Sequence, residues 1–159
     1  MANISERLFS QIERSVPFSS VDLMVFKDNK IILTKRRIPP YRNYWHLPGS
    51  IVKKGERVIE TVRRSAKEEL GISIDSISFI NYYDSVFRTR HYVSHLFITE
   101  YAGGEIKLNF QSSDFLFASP DLLPKNIIPL HKRMIEDVMQ LRSYKEVGSS
   151  SITQNHKTK

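Results

Sequence analysis

The chain has 159 residues, no cysteine, a net charge of +7 and 40% hydrophobic content. One domain of this length buries a core without cross-links, and the lack of cysteine excludes disulfides, thiolate nucleophiles and zinc–thiolate sites. No apolar run approaches the roughly 20 residues of a membrane span, and the polar N-terminus has no secretory signal pattern, so the expected setting is cytoplasmic, with no membrane partner.

Residues 3–15 predict a short amphipathic helix with Ile4, Leu8, Phe9 and Ile12 on one side, ended by Pro17. Ser20–Phe26 and Lys30–Lys35 read as strands joined at Asp28-Asn29. A Pro-rich aromatic loop follows, RRIPPYRNYWHLPGS, in which Tyr44 and Trp45 either stack on a nucleobase or pack the loop. Residues 57–70 give the strongest helix: Ile59, Val62, Ala66 and Leu70 recur at steps of three and four, and Gly71 is a natural stop. Ile74–Tyr82, Tyr92–Tyr101, Ile106–Phe110 and Phe115–Ala118 read as strands, Ser119-Pro120-Asp121 as a turn or short helix, and Ile127–Leu141 as a closing amphipathic helix. From Glu146 the polar composition predicts a disordered tail. The expected organisation is an N-terminal helix over 1–17, one domain over 18–145 and a tail over 146–159. Its class is α/β, a mixed sheet sandwiched between helices.

Ten basic residues lie between Lys35 and Lys67 against two acids, Glu56 and Glu60. Such a segment suits an anionic ligand such as a diphosphate, nucleic acid, or simply a solvated surface. On the central helix Glu56, Glu60, Arg64 and Glu68 follow at steps of four and share one stripe, with Glu69 about 100° further round. Glu68 and Glu69 occupy the last turn, where the helix dipole disfavours each acid by roughly 0.3–1 kcal/mol. A local rule broken twice points to a bound cation; the alternative is an exposed Arg64–Glu68 ion pair. Asp22 lies mid-strand among apolar residues, where an unpaired acid is costly. Arg36 is its candidate partner, and a substrate contact is the alternative. Arg36 itself is either a bidentate phosphate clamp or a surface arginine. His91 and His95 share one strand face without a third metal ligand, and His46, His131 and His156 have no evident partner.

The stretch from Gly49 to Ile72, GSIVKKGERVIETVRRSAKEELGI, resembles the Nudix box G-x5-E-x7-R-E-U-x-E-E-x-G-U, where U is bulky and aliphatic. Glu56, Arg64, Ala66, Glu68, Glu69, Gly71 and Ile72 fall in register, and W-x-L-P-G precedes the box. The likeness spans roughly residues 18–140. It implies an α/β/α sandwich with a mixed central sheet and a magnesium-dependent (or manganese-dependent) hydrolase of a nucleoside diphosphate linked to another moiety. Arg64, Glu68 and Glu69 would be catalytic. Glu68, Glu69, Glu56, Gln111 and Gly49 would serve the metal. Over VPFSSVDLMVF, ILTKR and YW-x-x-PG the chain is similar to the GDP-mannose mannosyl hydrolase branch. That likeness makes Asp22, Arg36 and Tyr92 substrate contacts, Glu69 the main metal carboxylate and Gln111 a metal ligand. It also makes a homodimer plausible.

Four positions depart from these patterns. Ser50 replaces a box glycine, Ser65 a box glutamate, Ile51 a substrate-contacting arginine and Ser112 the histidine base. A serine with no base beside it is a poor proton acceptor near neutral pH. Three outcomes follow as expectations: cleavage at phosphorus, cleavage at a sugar carbon, or a degenerate module that binds nucleotide or RNA without turnover.

Overall fold

The computed structural model describes residues 5–88 and 90–152. In chain order the elements are α1 (Glu6–Ser15), β1 (Phe18–Lys27), β2 (Lys30–Arg36), β3 (Trp45–His46), α2 (Val58–Leu70), β4 (Ser73–Phe87), β5 (Arg90–Gly103), β6 (Ser112–Ala118) and α3 (Pro129–Ile152). Asp28 and Asn29 both take positive φ, 51° and 61°, the backbone of a tight hairpin turn between β1 and β2. β1 runs parallel to β5 from Phe18 opposite Tyr92 to Phe26 opposite Glu100. β4 and β5 form a long antiparallel hairpin, and β6 lines the far edge of β2. The sheet is therefore mixed, with a helix on each face, as expected.

Beyond their turn, β1 and β2 part. Their ladder holds only Phe26 opposite Ile31 and Lys27 opposite Lys30. The segment from Trp45 to Val52 fills the gap. Trp45 and His46 pair with β2, while Val21 N and Leu23 N donate to Ser50 O and Pro48 O at 2.9 and 2.8 Å. This drives Gly49 against β1. A Cβ there would stand 2.1 Å from Val21 O and 2.9 Å from Asp22 Oδ1, so only glycine fits.

Strand alternation divides the apolar residues between two cores. Val21, Leu23, Val25 and Ile32 pack with Val62, Ala66 and Leu70 of α2. Met24, Phe26, Leu33 and Leu47 pack with Met134, Ile135 and Val138 of α3. α2 ends as read: Gly71 is left-handed at φ 73°, and its N–H donates to Lys67 O at 3.1 Å.

Two segments differ from the sequence reading. Residues 106–110 form no strand; Lys107 N donates to Leu70 O at 2.8 Å as the chain crosses the end of α2. α3 continues to Ile152, into the polar stretch from Glu146 that the sequence reading gave as a tail. Ile4 and residues 153–159 lie outside the described residues. No helix among the described residues is long and apolar enough to cross a membrane.

Candidate active site

The end of α2 meets the Pro48–Val52 segment beside β1. Glu69, only 5% exposed, is the buried acid of this corner. Its Oε2 accepts from Gly49 N at 3.2 Å, and its Oε1 accepts from Ser50 Oγ at 2.7 Å. Ser65 Oγ donates to Ser50 Oγ at 2.8 Å. Two of the positions that depart from the Nudix pattern thus form a hydroxyl chain ending on Glu69. Burial raises the Glu69 carboxyl to about 7, against the pull of Ser50, Gly49 and Arg36, and the nearby charge of Asp22 raises it further.

Arg64 organises the opposite side of the helix. Its Nε and Nη2 donate to Glu56 Oε1 and Oε2 at 2.7 and 2.9 Å, its Nη2 also to Ile51 O at 3.0 Å, and its Nη1 to Glu68 Oε2 at 3.0 Å. Glu56 accepts further from Lys53 N and Thr61 Oγ1, at 3.1 and 2.8 Å. The Arg64 hydrogen bonds, more than the others, hold the Glu56 carboxyl down to about 2. Glu68 also faces Lys53 Nζ at 3.7 Å, and about half of its side chain is exposed. Of the expected helical stripe, only Arg64 and Glu68 pair along α2; Glu56 lies ahead of the helix and reaches Arg64 from the loop, and Glu60 turns back to cap α2 through Arg57 N at 2.9 Å.

No group of three or more histidine or acidic side chains converges among the described residues. Glu69 with the Ser50 and Ser65 hydroxyls forms a small all-oxygen group, while Glu68, one residue earlier, is held by Arg64 and Lys53. The all-oxygen group suits magnesium or manganese, which completes its shell from ligand phosphates and water. Glu56, saturated by Arg64, Lys53 and Thr61, is the least available of the three acids. Gln111 is tied through its backbone: its carbonyl accepts from Arg37 N at 2.7 Å, and its N–H donates to Asn109 Oδ1 at 2.9 Å. Ser112 is buried opposite Arg36.

Asp22 faces α3. It accepts from Ser94 Oγ and lies 3.7 Å from His131 Nε2. Leu47 N donates to His131 Nδ1 at 2.8 Å, so that nitrogen carries a lone pair and Nε2 carries the proton. Burial, then the charge of Arg36, pushes His131 down to about 3. His46 is neutral by the same logic. Its Nδ1 donates to Leu47 O at 2.7 Å and its Nε2 accepts from Thr34 Oγ1 at 3.1 Å, with burial the main cause of a value near 3. Burial also raises Asp22 to about 6, although Ser94 and Arg36 oppose it.

The expected Asp22–Arg36 ion pair is absent among the described residues. Past β2 the chain doubles back, with Asn43 N on Arg36 O at 2.8 Å, and offers Arg36 nearer partners. Arg36 Nε donates to Pro40 O at 2.7 Å and Nη2 to Pro39 O at 3.4 Å. Burial lowers the Arg36 pKa, against the raising charges of Glu69 and Asp22, with nearby Arg90 lowering it further. Tyr92 OH donates to Glu13 of α1, whose other oxygen accepts from Arg90 Nε at 3.0 Å. Burial and Glu13 push Tyr92 up to about 12. Glu13, 6% exposed, was invisible in the sequence; it is one acid on a polar helix turn. The two loop aromatics pack the loop. Lys35 lies over Trp45 at 5.6 Å, and Tyr44 meets Tyr41 edge-on at 5.6 Å. His91 faces Asp84 at 3.5 Å and His95 faces Ser20 O at 3.0 Å, as ordinary polar positions do.

Comparison with known proteins agrees with this geometry. The NUDIX domain model matches residues 16–138. The chain is 36% identical over 129 residues to an ADP-ribose pyrophosphatase of Methanocaldococcus jannaschii, covering 80% of this chain and 76% of the relative. It is 28% identical to the low-salt glycan biosynthesis protein Agl8 of Haloferax volcanii, over 69% of this chain and 75% of that one. The solved MutT Nudix hydrolase from Burkholderia pseudomallei superposes with a TM-score of 0.72 at 24% identity, covering 76% of this chain and 97% of that structure. A carboxylate helix, a glycine wedged against β1 and a family match across the whole sheet lead to one assignment: the chain belongs to the Nudix family and is a Nudix hydrolase.

Proposed function

We propose that the chain hydrolyses a nucleoside diphosphate linked to a second moiety, ADP-ribose or a nucleotide sugar, at the phosphoanhydride, with a divalent cation held by Glu69 and Glu68. The observation that carries the reading is the buried Glu69 carboxylate, gripped by Gly49 N and Ser50 Oγ within the field of Arg36. The 36% identity to an ADP-ribose pyrophosphatase supports the substrate class. Magnesium, or manganese, supplies charge neutralisation at the diphosphate when bound. Arg64 fixes Glu68 relative to the Ile51 carbonyl, and so orients that carboxylate. Arg36 holds phosphate with the part of its guanidinium not spent on Pro39 and Pro40, which pre-organises the ligand. Asp22 and Tyr92 border the same region as substrate contacts.

Attack at phosphorus gives a nucleoside monophosphate and a phosphorylated remainder. Attack at the sugar carbon gives a nucleoside diphosphate and a free sugar. The buried Ser112, in place of a histidine base, favours phosphorus. Turnover in oxygen-18 water decides: label is expected in a phosphate product, and label in the sugar alone would replace this reading. A second reading, binding without turnover, draws on Ser65, whose hydroxyl bonds Ser50 where the family pattern has a carboxylate. A screen of nucleoside diphosphate derivatives with magnesium and with manganese separates the two. Tight binding with no product would favour the second.

A further inference from the structure

Asp22 sits where a strand seldom carries an acid. Its chain neighbours Val21 and Leu23 are 1% and 0% exposed, and its own side chain is 13% exposed. Its Oδ2 is committed to the hydroxyl of the buried Ser94. Its Oδ1 is the atom that a Cβ on Gly49 would meet at 2.9 Å, so this oxygen lies against the residue whose N–H serves Glu69. A carboxylate in such surroundings keeps one direction only where fixed polar partners hold it.

The partner facing Oδ1 is His131. It comes from the first turn of α3, whose start is stitched to β3: Trp45 N donates to Asn126 O at 2.8 Å, and Ile128 N donates to Trp45 O at 2.9 Å. The ring is 12% exposed and meets His46 edge-on at 5.9 Å. Each of its nitrogens has one partner. Leu47 N takes the lone pair of Nδ1 at 2.8 Å, and a neutral imidazole then carries its proton on Nε2. Nε2 stands 3.7 Å from Asp22 Oδ1, beyond a direct hydrogen bond, and acts on it as an aimed dipole. With its lone pair spent, the ring cannot take a proton from water, so it is not a general base. One ring thus ties α3, the segment leading to Gly49 and the acid of β1.

We propose that His131 is a positioning residue for the hydrolysis: its Nε2–H holds the Asp22 carboxylate in the direction from which it meets the substrate. The inference rests on the nucleoside diphosphate reading above, in which Asp22 is a substrate contact. A histidine that only braced the fold would be served by the Leu47 bond alone. The acid opposite Nε2 is what sets this ring apart from His46, whose two nitrogens meet Leu47 O and Thr34 Oγ1.

Two amides separate the two ends of the ring, tested in the full chain with ADP-ribose and magnesium or manganese. His131→Asn brings an oxygen to the place of Nδ1 and keeps the Leu47 bond, but has nothing at the place of Nε2. Its melting temperature should stay within about 2 °C of the unaltered chain, while kcat/KM should fall about ten-fold. His131→Gln brings an N–H to the place of Nε2 and leaves Leu47 N without an acceptor. It should recover kcat/KM to within about three-fold of the unaltered chain, yet melt about 5 °C lower. A His131→Gln no faster than His131→Asn, activity that follows stability across the two variants, or an undiminished kcat/KM in His131→Asn would overturn the assignment. Nitrogen-15 spectra of the full chain give a reading independent of turnover. His131 should carry its proton on Nε2, and that resonance should shift on Asp22→Asn. A proton on Nδ1, or a resonance indifferent to Asp22→Asn, overturns the contact. If the unaltered chain hydrolyses nothing, the proposed function fails separately and these spectra decide the contact. They decide it equally if His131→Asn does not fold.

Discussion

The Glu69 carboxyl is kept by the fold close to its neutral form until something positive arrives. Its folded pKa, near 7, lies above the ordinary 4.5, so the folded chain binds that proton more tightly than the unfolded chain. The stabilisation is full below about 4.5 and is lost as pH rises through 7. Glu69→Gln imitates the neutral form. Without metal, the melting temperature of the unaltered chain should therefore fall below that of Glu69→Gln as pH climbs from 5 to 8, by on the order of 5 °C. Magnesium or manganese should narrow the gap in the unaltered chain only. The variant should meanwhile lose metal-dependent hydrolysis by roughly a hundred-fold or more, a loss of transition-state stabilisation. Full turnover in Glu69→Gln would remove the metal assignment. Asp22, raised to about 6, titrates in the same sense. His46 and His131 run the other way. Their folded values near 3 lie below the ordinary 6.5, so the stability they support is present above 6.5 and drains as pH falls toward 3. What was legible at this scale was local. The Arg64–Glu68 pair follows from helical spacing, whereas Glu56 reaches Arg64 from the loop ahead of α2. The His131–Leu47 bond joins residues 84 positions apart, and no periodicity reports such a pairing.

α2 and the loop ahead of it behave as one unit because Arg64 ties both. Arg64→Ala leaves Glu56, mostly buried at 15% side-chain exposure, without its main partner. We expect a loss of roughly 3 kcal/mol in denaturant unfolding, since the orphaned charge cannot reach water freely. Arg64→Lys should recover little, because a point charge cannot span Glu56, Glu68 and the Ile51 carbonyl together. Gly49→Ala should be comparably damaging, on the order of 3 kcal/mol, because its Cβ meets backbone rather than a movable side chain. The helices and the first hairpin were readable since their signals are periodic and close in sequence. Ile106 and Leu108 alternate as in a strand because both pack on the α2-side core. Alternation tells which side chains go inward; it says nothing of whether a neighbouring backbone is there to pair. β3 escaped notice at two residues.

For the molecule as a whole, two cores pack on either side of one sheet, and the family likeness in the carboxylate helix carried the fold class. The sheet order was not readable, because strand pairing depends on which chain segments meet in space. The charge of +7 gives a further expectation at this scale. KM for an anionic substrate should rise several-fold between low salt and about 0.3 M, as the field that draws it in is screened. An unchanged KM would reduce the basic segment to a solvated surface.

The parallel seam between β1 and β5 also sets an order on synthesis. Residues 18–27 leave the ribosome long before residues 90–103, the strand that completes their edge. Until then the growing polypeptide carries an apolar strand with bare amides along one side, which is an invitation to intermolecular pairing. A stop codon ahead of Gly103 should therefore yield an aggregating fragment in place of a smaller working enzyme.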